Sequence, residues 1–165
     1  MKNEVLPLKR GAKLYLEGMN PESVAGYGVV VASPEDADFA IIRTDAPFEL
    51  RGAGFESFFH AGSLDFPADR AEHFNRIANA VPTVFSIYLD RAAILTSVVE
   101  SMKAIVADYG AADSALLKVL FGDAKPEGKL PFDLPRSMAA VEASREDVPF
   151  DTANPLFKFG FGLSL

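Results

Sequence analysis

Cysteine is absent from the 165 residues. Disulfides, thiolate metal ligands and thiol nucleophiles are thereby excluded together, while the redox compartment stays open, since a cysteine-free chain suits either. The two histidines, His60 and His73, are too few for a multi-histidine metal centre. No run approaches the ~18 apolar residues of a membrane span, and the opening MKNEVLPLKR lacks the apolar core of a secretory signal. The chain as given carries no export or anchoring address, so the expectation is a cytoplasmic protein with no membrane partner. Basic charge is short as well. Sixteen Lys and Arg against 23 Asp and Glu give a net charge of −7 and a pI of about 4.8, which leaves no footprint for nucleic acid. Repeats and low-complexity stretches are missing, and proline and glycine are dispersed rather than gathered into a linker. What is present is ordinary globular usage, 49% hydrophobic and 24% charged, in a length that suits one domain spanning 1–165.

Short β-rich runs alternate with helical periods. Residues 13–17, 28–32 and 39–43 read as strands, the last two nearly continuous in apolar residues, as strands covered on both faces are. Asn20-Pro21 can open a short helix between the first two. Ser33-Pro34 followed by Glu35 and Asp36 offers an N-cap, a first-turn proline and acids at the positive dipole end between the second and third. Ala71, Phe74, Ile77, Ala78 and Val81 fall at helical spacing and predict an amphipathic helix over 68–80. Strands follow at 83–89 and 103–108. Asp113 can cap a helix through Leu116, Leu117 and Leu120 that Gly122 ends. Residues 129–133 read as a final edge-like strand, because Pro131 cannot donate to a central ladder. The fold class is α/β, a doubly wound and mostly parallel sheet of five or six strands with helices on both faces.

In such sheets ligands meet the loops that leave the carboxyl ends of strands. One irregular stretch, residues 44–66, is too long to be a plain connector. It carries the carboxylates Asp45, Glu49, Glu56 and Asp65, together with Arg51, His60 and the rings of Phe48, Phe55, Phe58 and Phe59. Those rings could form a stacking wall for a ligand; core or domain-interface packing is the expectation for at least two of them. Arg43 and Arg51 could steer a carboxylate or a hydroxyl, although arginines beside acids are commonly surface ion pairs. His73, on the helix, reads as exposed surface. No cofactor is expected: Gly26-Tyr-Gly28 is too short for a phosphate cradle, and no strand-linked G-x-G-x-x-G or Walker pattern occurs.

Four motifs in order then carry a resemblance. NEVLPLK at 3–9 is similar to E-N-x-L-L-P-L-K. ADFAIIRTD at 37–45 is similar to A-D-x-A-I-V-V-x-G-E. VLFGDAKPEGKLPF at 119–132 is similar to V-L-F-G-D-x-N-P-S-G-K-L-P-V, and FKFGFGLSL at 157–165 to Y-P-F-G-Y-G-L-S-Y. Together they resemble the C-terminal α/β sandwich domain of glycoside hydrolase family 3. Gly122, Gly128, Gly160 and Gly162 in these motifs are expected to serve turns or close approaches.

The resemblance implies a retaining exo-glycosidase of β-glucosidase type. There, one carboxylate attacks the anomeric carbon and a second, about 5 Å away, first protonates the leaving oxygen and then activates water. The family's nucleophile lies on an N-terminal barrel absent from this chain, which makes that barrel a partner, residues 1–12 a linker from it, and a β-linked glycoside the substrate. The acid/base comes from the domain present here. Glu49, in Ala46-Pro-Phe-Glu-Leu50, resembles the family's P-Y-x-E-like segment at a spacing one residue shorter, and Asp45 stands at the G-E position as second candidate. His60, Arg43 and Phe48 are the substrate-binding candidates; no metal is expected. Where many members have Y-P-G-Q-E-G-G, this chain has Asp108-Tyr-Gly-Ala-Ala-Asp-Ser114, so sugar contacts from that turn do not carry over. Two function classes follow. One is a glycosidase half-domain, inactive without its barrel and prone to dimerise through the exposed docking face; the other is a non-catalytic sugar-binding or scaffold module.

Overall fold

A computed structural model describes residues 4–50, 54–55 and 59–163. Five strands, β1 (Ala12–Glu17), β2 (Gly28–Val30), β3 (Phe39–Asp45), β4 (Thr83–Tyr88) and β5 (Ala104–Asp108), form one sheet in the order β2-β1-β3-β4-β5. Every pairing is parallel. Among the described residues three α-helices accompany them: α1 (Ala68–Ala80), α2 (Asp113–Leu120) and α3 (Met138–Ala143).

Strand alternation divides the interior into two cores. Leu14, Ile41 and Val84 point to one face, where Leu116, Leu117 and Leu120 of α2 cover them. Ala40, Ile42, Phe85, Ile87 and Ile105 point to the other, under Ala71, Phe74 and Ile77 of α1. Near-continuous apolar runs in β3 and β4 are what a strand buried on both faces requires, and both strands lie mid-sheet. The sheet is doubly wound as expected, with helices on both faces.

Several elements differ from the sequence reading. β2 is an edge strand of three residues, and Val29 and Val30 remain 60% and 40% exposed, so its apolar run does not mark burial on both faces. β3 runs to Asp45, which pairs with Tyr88, so the long irregular stretch begins at 46. Residues 129–133 form no strand. Leu130 instead exchanges backbone hydrogen bonds with Phe161 and Gly160, and Leu134 bridges to Phe157, so this segment pairs with the chain's own end. Pro34–Asp36 makes a single 3-10 turn, and the Ser33 hydroxyl contacts the Asp36 carboxylate rather than a backbone amide. Asp113 is the first residue of α2, not its cap. The other end of α2 is as read: the Gly122 amide reaches the Val119 carbonyl and the Asp123 amide the Lys118 carbonyl, with Gly122 at φ +80°, a glycine-closed helix terminus.

No helix joins β4 to β5. Residues 89–103 instead sink Ile94, Leu95, Val98, Val99 and Met102 into the α1-side core as irregular backbone. Residues 4–11 are anchored at Leu8, which is buried with its amide bonded to the Leu120 carbonyl at 2.8 Å. Among the described residues no helix is long and apolar enough to cross a membrane.

Phe85 is fully buried and meets Phe66 and Phe74 edge-on. Phe85→Ala is expected to cost about 3–5 kcal/mol in urea unfolding, whereas Val29→Thr on the edge strand stays within about 0.5 kcal/mol. Equal losses would contradict the placement of the core.

Candidate active site at the carboxyl edge of the sheet

β1 and β3 are neighbours, but the chain leaves β1 toward β2 on one side and returns to β3 on the other. Such a reversal opens a crevice at the carboxyl ends of the two strands. Here it is a cavity of about 410 Å³ lined by Gly18, Arg43, Thr44, Asp45, Arg70, Tyr88, Gly110 and Ala111. A second, apolar groove of about 290 Å³ runs along the outer edge of β5 between α2 and residues 161–163, and no described residue of the 46–66 loop lines it.

Alternation along β3 decides what each residue near the crevice can reach. Arg43, on the α2 face, gives its guanidinium to the Asp113 carboxylate and the Ala111 carbonyl, with Asp108 at 3.4 Å. Thr44, on the opposite face, accepts from Arg70 of α1 at 2.7 Å. Asp108 is buried; it receives the amides of Gly110 and Ala111, each at 3.0 Å, and the Ser86 hydroxyl at 3.4 Å. Arg43 is thus committed to holding the crevice together. Asp45 is exposed at its rim. Gly18, at φ +68°, lies directly against the Arg43 carbonyl, where any Cβ would overlap that oxygen.

The loop beyond β3 is organised around Glu49. Its amide donates to the Ala61 carbonyl at 2.8 Å, closing a one-bridge antiparallel hairpin. Its carboxylate turns back to accept the Ser63 amide at 3.1 Å. Gly62, at φ +81°, supplies the space this requires, since a Cβ there would strike the Glu49 carboxyl. Arg91, just past β4, donates to the Gly62 carbonyl at 2.9 Å, and the Ile94 amide donates to the Leu64 carbonyl at 2.9 Å. The loop is therefore docked on the β4 exit. His60 contacts the Asp90 carboxylate through Nδ1 and stacks on Phe48, with ring centroids 3.8 Å apart and planes within 4°.

The structure thus brings Glu49, His60 and Phe48 together on one hairpin and sets Asp45 and Arg43 at the crevice. Phe55 and Phe59 do not enter either core: they are 77% and 58% exposed and meet each other edge-on, and Phe48 likewise packs on His60 rather than inside. Arg51, Glu56 and Phe58 lie outside the described residues. His73 is not free surface; it is half-buried against Glu17 at 2.9 Å and Arg76 at 2.8 Å. Glu17 also accepts from Tyr15, and partial burial, then that carboxylate, hold the Tyr15 phenol above its ordinary pKa, so it remains a donor. Of the motif glycines, Gly122 and Gly160 have positive φ and Gly162 abuts the Gly128 carbonyl, whereas Gly128 meets neither condition. Asp90, Arg91, Gly62 and Arg70 are missing from the sequence reading. The signal for Asp90 and Arg91 was their place immediately after a strand's carboxyl end.

The sequence profile described as "Glycosyl hydrolase family 3 C-terminal domain" matches residues 24–165. The chain belongs to that family. Beta-glucosidase C of Emericella nidulans is 48% identical over 163 residues, covering 96% of this chain and 26% of that protein. The periplasmic beta-glucosidase/beta-xylosidase of Dickeya chrysanthemi is 43% identical over 166 residues, covering 98% of this chain and 25% of that protein. In fold, the crystal structure of the beta-D-glucoside glucohydrolase from Trichoderma reesei superposes with a TM-score of 0.75 at 19% identity, covering 99% of this chain and 34% of that one. This family 3 domain therefore spans about a quarter of the length of the curated relatives it matches.

Removing Arg43 from this family 3 domain leaves the buried Asp108 carboxylate without its cation. Arg43→Met is expected to cost about 3 kcal/mol or more in urea unfolding. Adding Asp108→Asn, whose amide oxygen still accepts the Gly110 and Ala111 amides, should recover a substantial part of that loss. Simple addition of the two single losses would show that the groups are not coupled.

Proposed function

We propose that this chain is the C-terminal domain of a retaining β-glucosidase-like exo-glycosidase, and that its 46–66 loop carries the acid/base to a barrel that holds the nucleophile. The observation that carries the reading is family membership joined to the position of Glu49. It lies four residues beyond the carboxyl end of a central strand, on a hairpin docked at the β4 exit, within the segment that resembles the family's P-Y-x-E. Glu49 is the general acid in the first step and the general base in the second. Its contact with Ser63 is a surface hydrogen bond that a leaving-group oxygen can replace. Asp45, at the rim beside Arg70 and Thr44, is the runner-up. His60 and Phe48 on the hairpin are the substrate-binding candidates that go with Glu49, whereas Arg43, although it lines the crevice, has its guanidinium taken by Asp113, Asp108 and the Ala111 carbonyl.

The missing nucleophile makes the isolated chain inactive, because acid catalysis alone supplies roughly 10²–10⁴-fold, far below what glycoside cleavage needs. Purified chain should not hydrolyse an aryl β-glucoside; turnover that disappears in Glu49→Gln would overturn this. Without the barrel, the exposed loop rings are free to meet a second copy, and the isolated chain should self-associate in sedimentation.

In the barrel-containing protein, Glu49→Gly should slow substrates with poor leaving groups far more than activated aryl glycosides, since a good leaving group needs little protonation. Azide attacks without a base, so it should restore turnover and yield a β-glycosyl azide. The same series on Asp45→Gly is the control. If Asp45→Gly shows leaving-group dependence and azide rescue while Glu49→Gly behaves like the parent, the acid lies four residues earlier.

A further inference from the structure

The contact between His60 and Asp90 lies apart from the Glu49 carboxylate and is built from both sides. His60 precedes Ala61, the residue whose carbonyl takes the Glu49 amide, so imidazole and carboxylate share one hairpin. Phe48 covers one face of the imidazole ring at 3.8 Å, and Asp90 takes Nδ1. Nε2 meets no partner among the described residues, and the side chain stays 39% exposed. Asp90 comes from another element, the β4 exit, where the next residue, Arg91, fixes the Gly62 carbonyl at 2.9 Å. One two-residue step therefore sets both the hairpin backbone and the histidine ring. An exposed ion pair between two mobile side chains contributes little. A ring that is stacked, anchored at one nitrogen and open at the other is instead an oriented hydrogen-bonding group.

We propose that Asp90 is a positioning residue that holds the proton of neutral His60 on Nδ1, leaving the Nε2 lone pair facing outward to accept a hydroxyl of the bound sugar. A histidine free in water favours the Nε2–H form, and a carboxylate at Nδ1 reverses that preference. The group that then fits Nε2 is an O–H donor, which a pyranose offers on several carbons and a glycosidic oxygen does not. The inference rests on the sugar-site reading above for its ligand; the tautomer does not depend on that reading.

Two measurements test it. Long-range ¹H–¹⁵N spectra of the labelled chain in neutral to mildly alkaline buffer read the tautomers of its two histidines, and His73→Gln assigns them. His60 should be Nδ1–H in the parent and in Asp90→Asn, whose amide oxygen still accepts, and Nε2–H in Asp90→Ala. In the barrel-containing protein, His60→Ala and Asp90→Ala should each lower kcat/KM on an aryl β-glucoside about tenfold, the size of one lost hydrogen bond. The double variant should be no worse than the poorer single, and Asp90→Asn should stay within about twofold of the parent. An Nε2–H parent, losses that multiply to about a hundredfold, or single variants with parent kinetics would each overturn the proposal. If Asp90→Ala does not fold, the parent tautomer and Asp90→Asn still decide it. Failure of the Glu49 reading appears separately, as a Glu49→Gly variant with parent kinetics.

Discussion

One guanidinium fixes the carboxyl edge of this sheet. Arg43, near the end of β3, reaches Asp108 at the end of β5, Asp113 at the start of α2 and the Ala111 carbonyl between them. Asp108 in turn gathers Ser86 of β4 and the amides of its own turn, and Asp113 takes the Asn20 amide from the turn after β1. The exits of four strands are thereby tied to a single cation. A buried ion pair adds little net stability over an apolar replacement, but removing one partner is costly, so the network acts chiefly on geometry. Its consequence for function is a division of labour: Arg43 is spent inward, and Asp45, Thr44 and Arg70 are left to face the crevice.

Much of the fold was legible because the signals were local. The 3.6-residue spacing of Ala71, Phe74 and Ile77 fixed α1 with its bounds, and the apolar runs of β3 and β4 placed them mid-sheet. The larger misreadings turned on long-range partners, whereas the caps at Ser33 and Asp113 differ by local geometry. The final edge strand was misread because 129–134 pairs with 157–161, a choice that local pattern cannot express. β2 looked buried because Val29, Val30 and Val31 are apolar; its place at the sheet edge leaves two of them open. The irregular β4–β5 connection was apolar without a clear period, and it packs as such.

The site was legible in part. Glu49, His60 and Phe48 were named by residue type and by resemblance, and they lie on one hairpin. Asp90 and Arg91 were not, because nothing in the Leu-Asp-Arg sequence indicates which distant loop will dock on it. Of the two alternatives for the loop phenylalanines, core or domain-interface packing, the core one does not hold for Phe48, Phe55 and Phe59, whose rings are presented outward beside the candidate residues. Gly62 shows how tightly the hairpin is specified, since its missing side chain is the space the Glu49 carboxyl occupies.

Under the proposed function, Glu49 is the carboxyl group that this domain brings to a nucleophile on another domain. The most direct measurement is a crystal structure of the barrel-containing protein trapped with a 2-fluoroglycosyl group on its nucleophile. The Glu49 carboxyl is expected about 5–5.5 Å from the nucleophile carboxylate, the separation of a retaining pair. A structure in which Glu49 still holds the Ser63 amide, far from the trapped sugar, while another carboxyl stands at that separation, would contradict it.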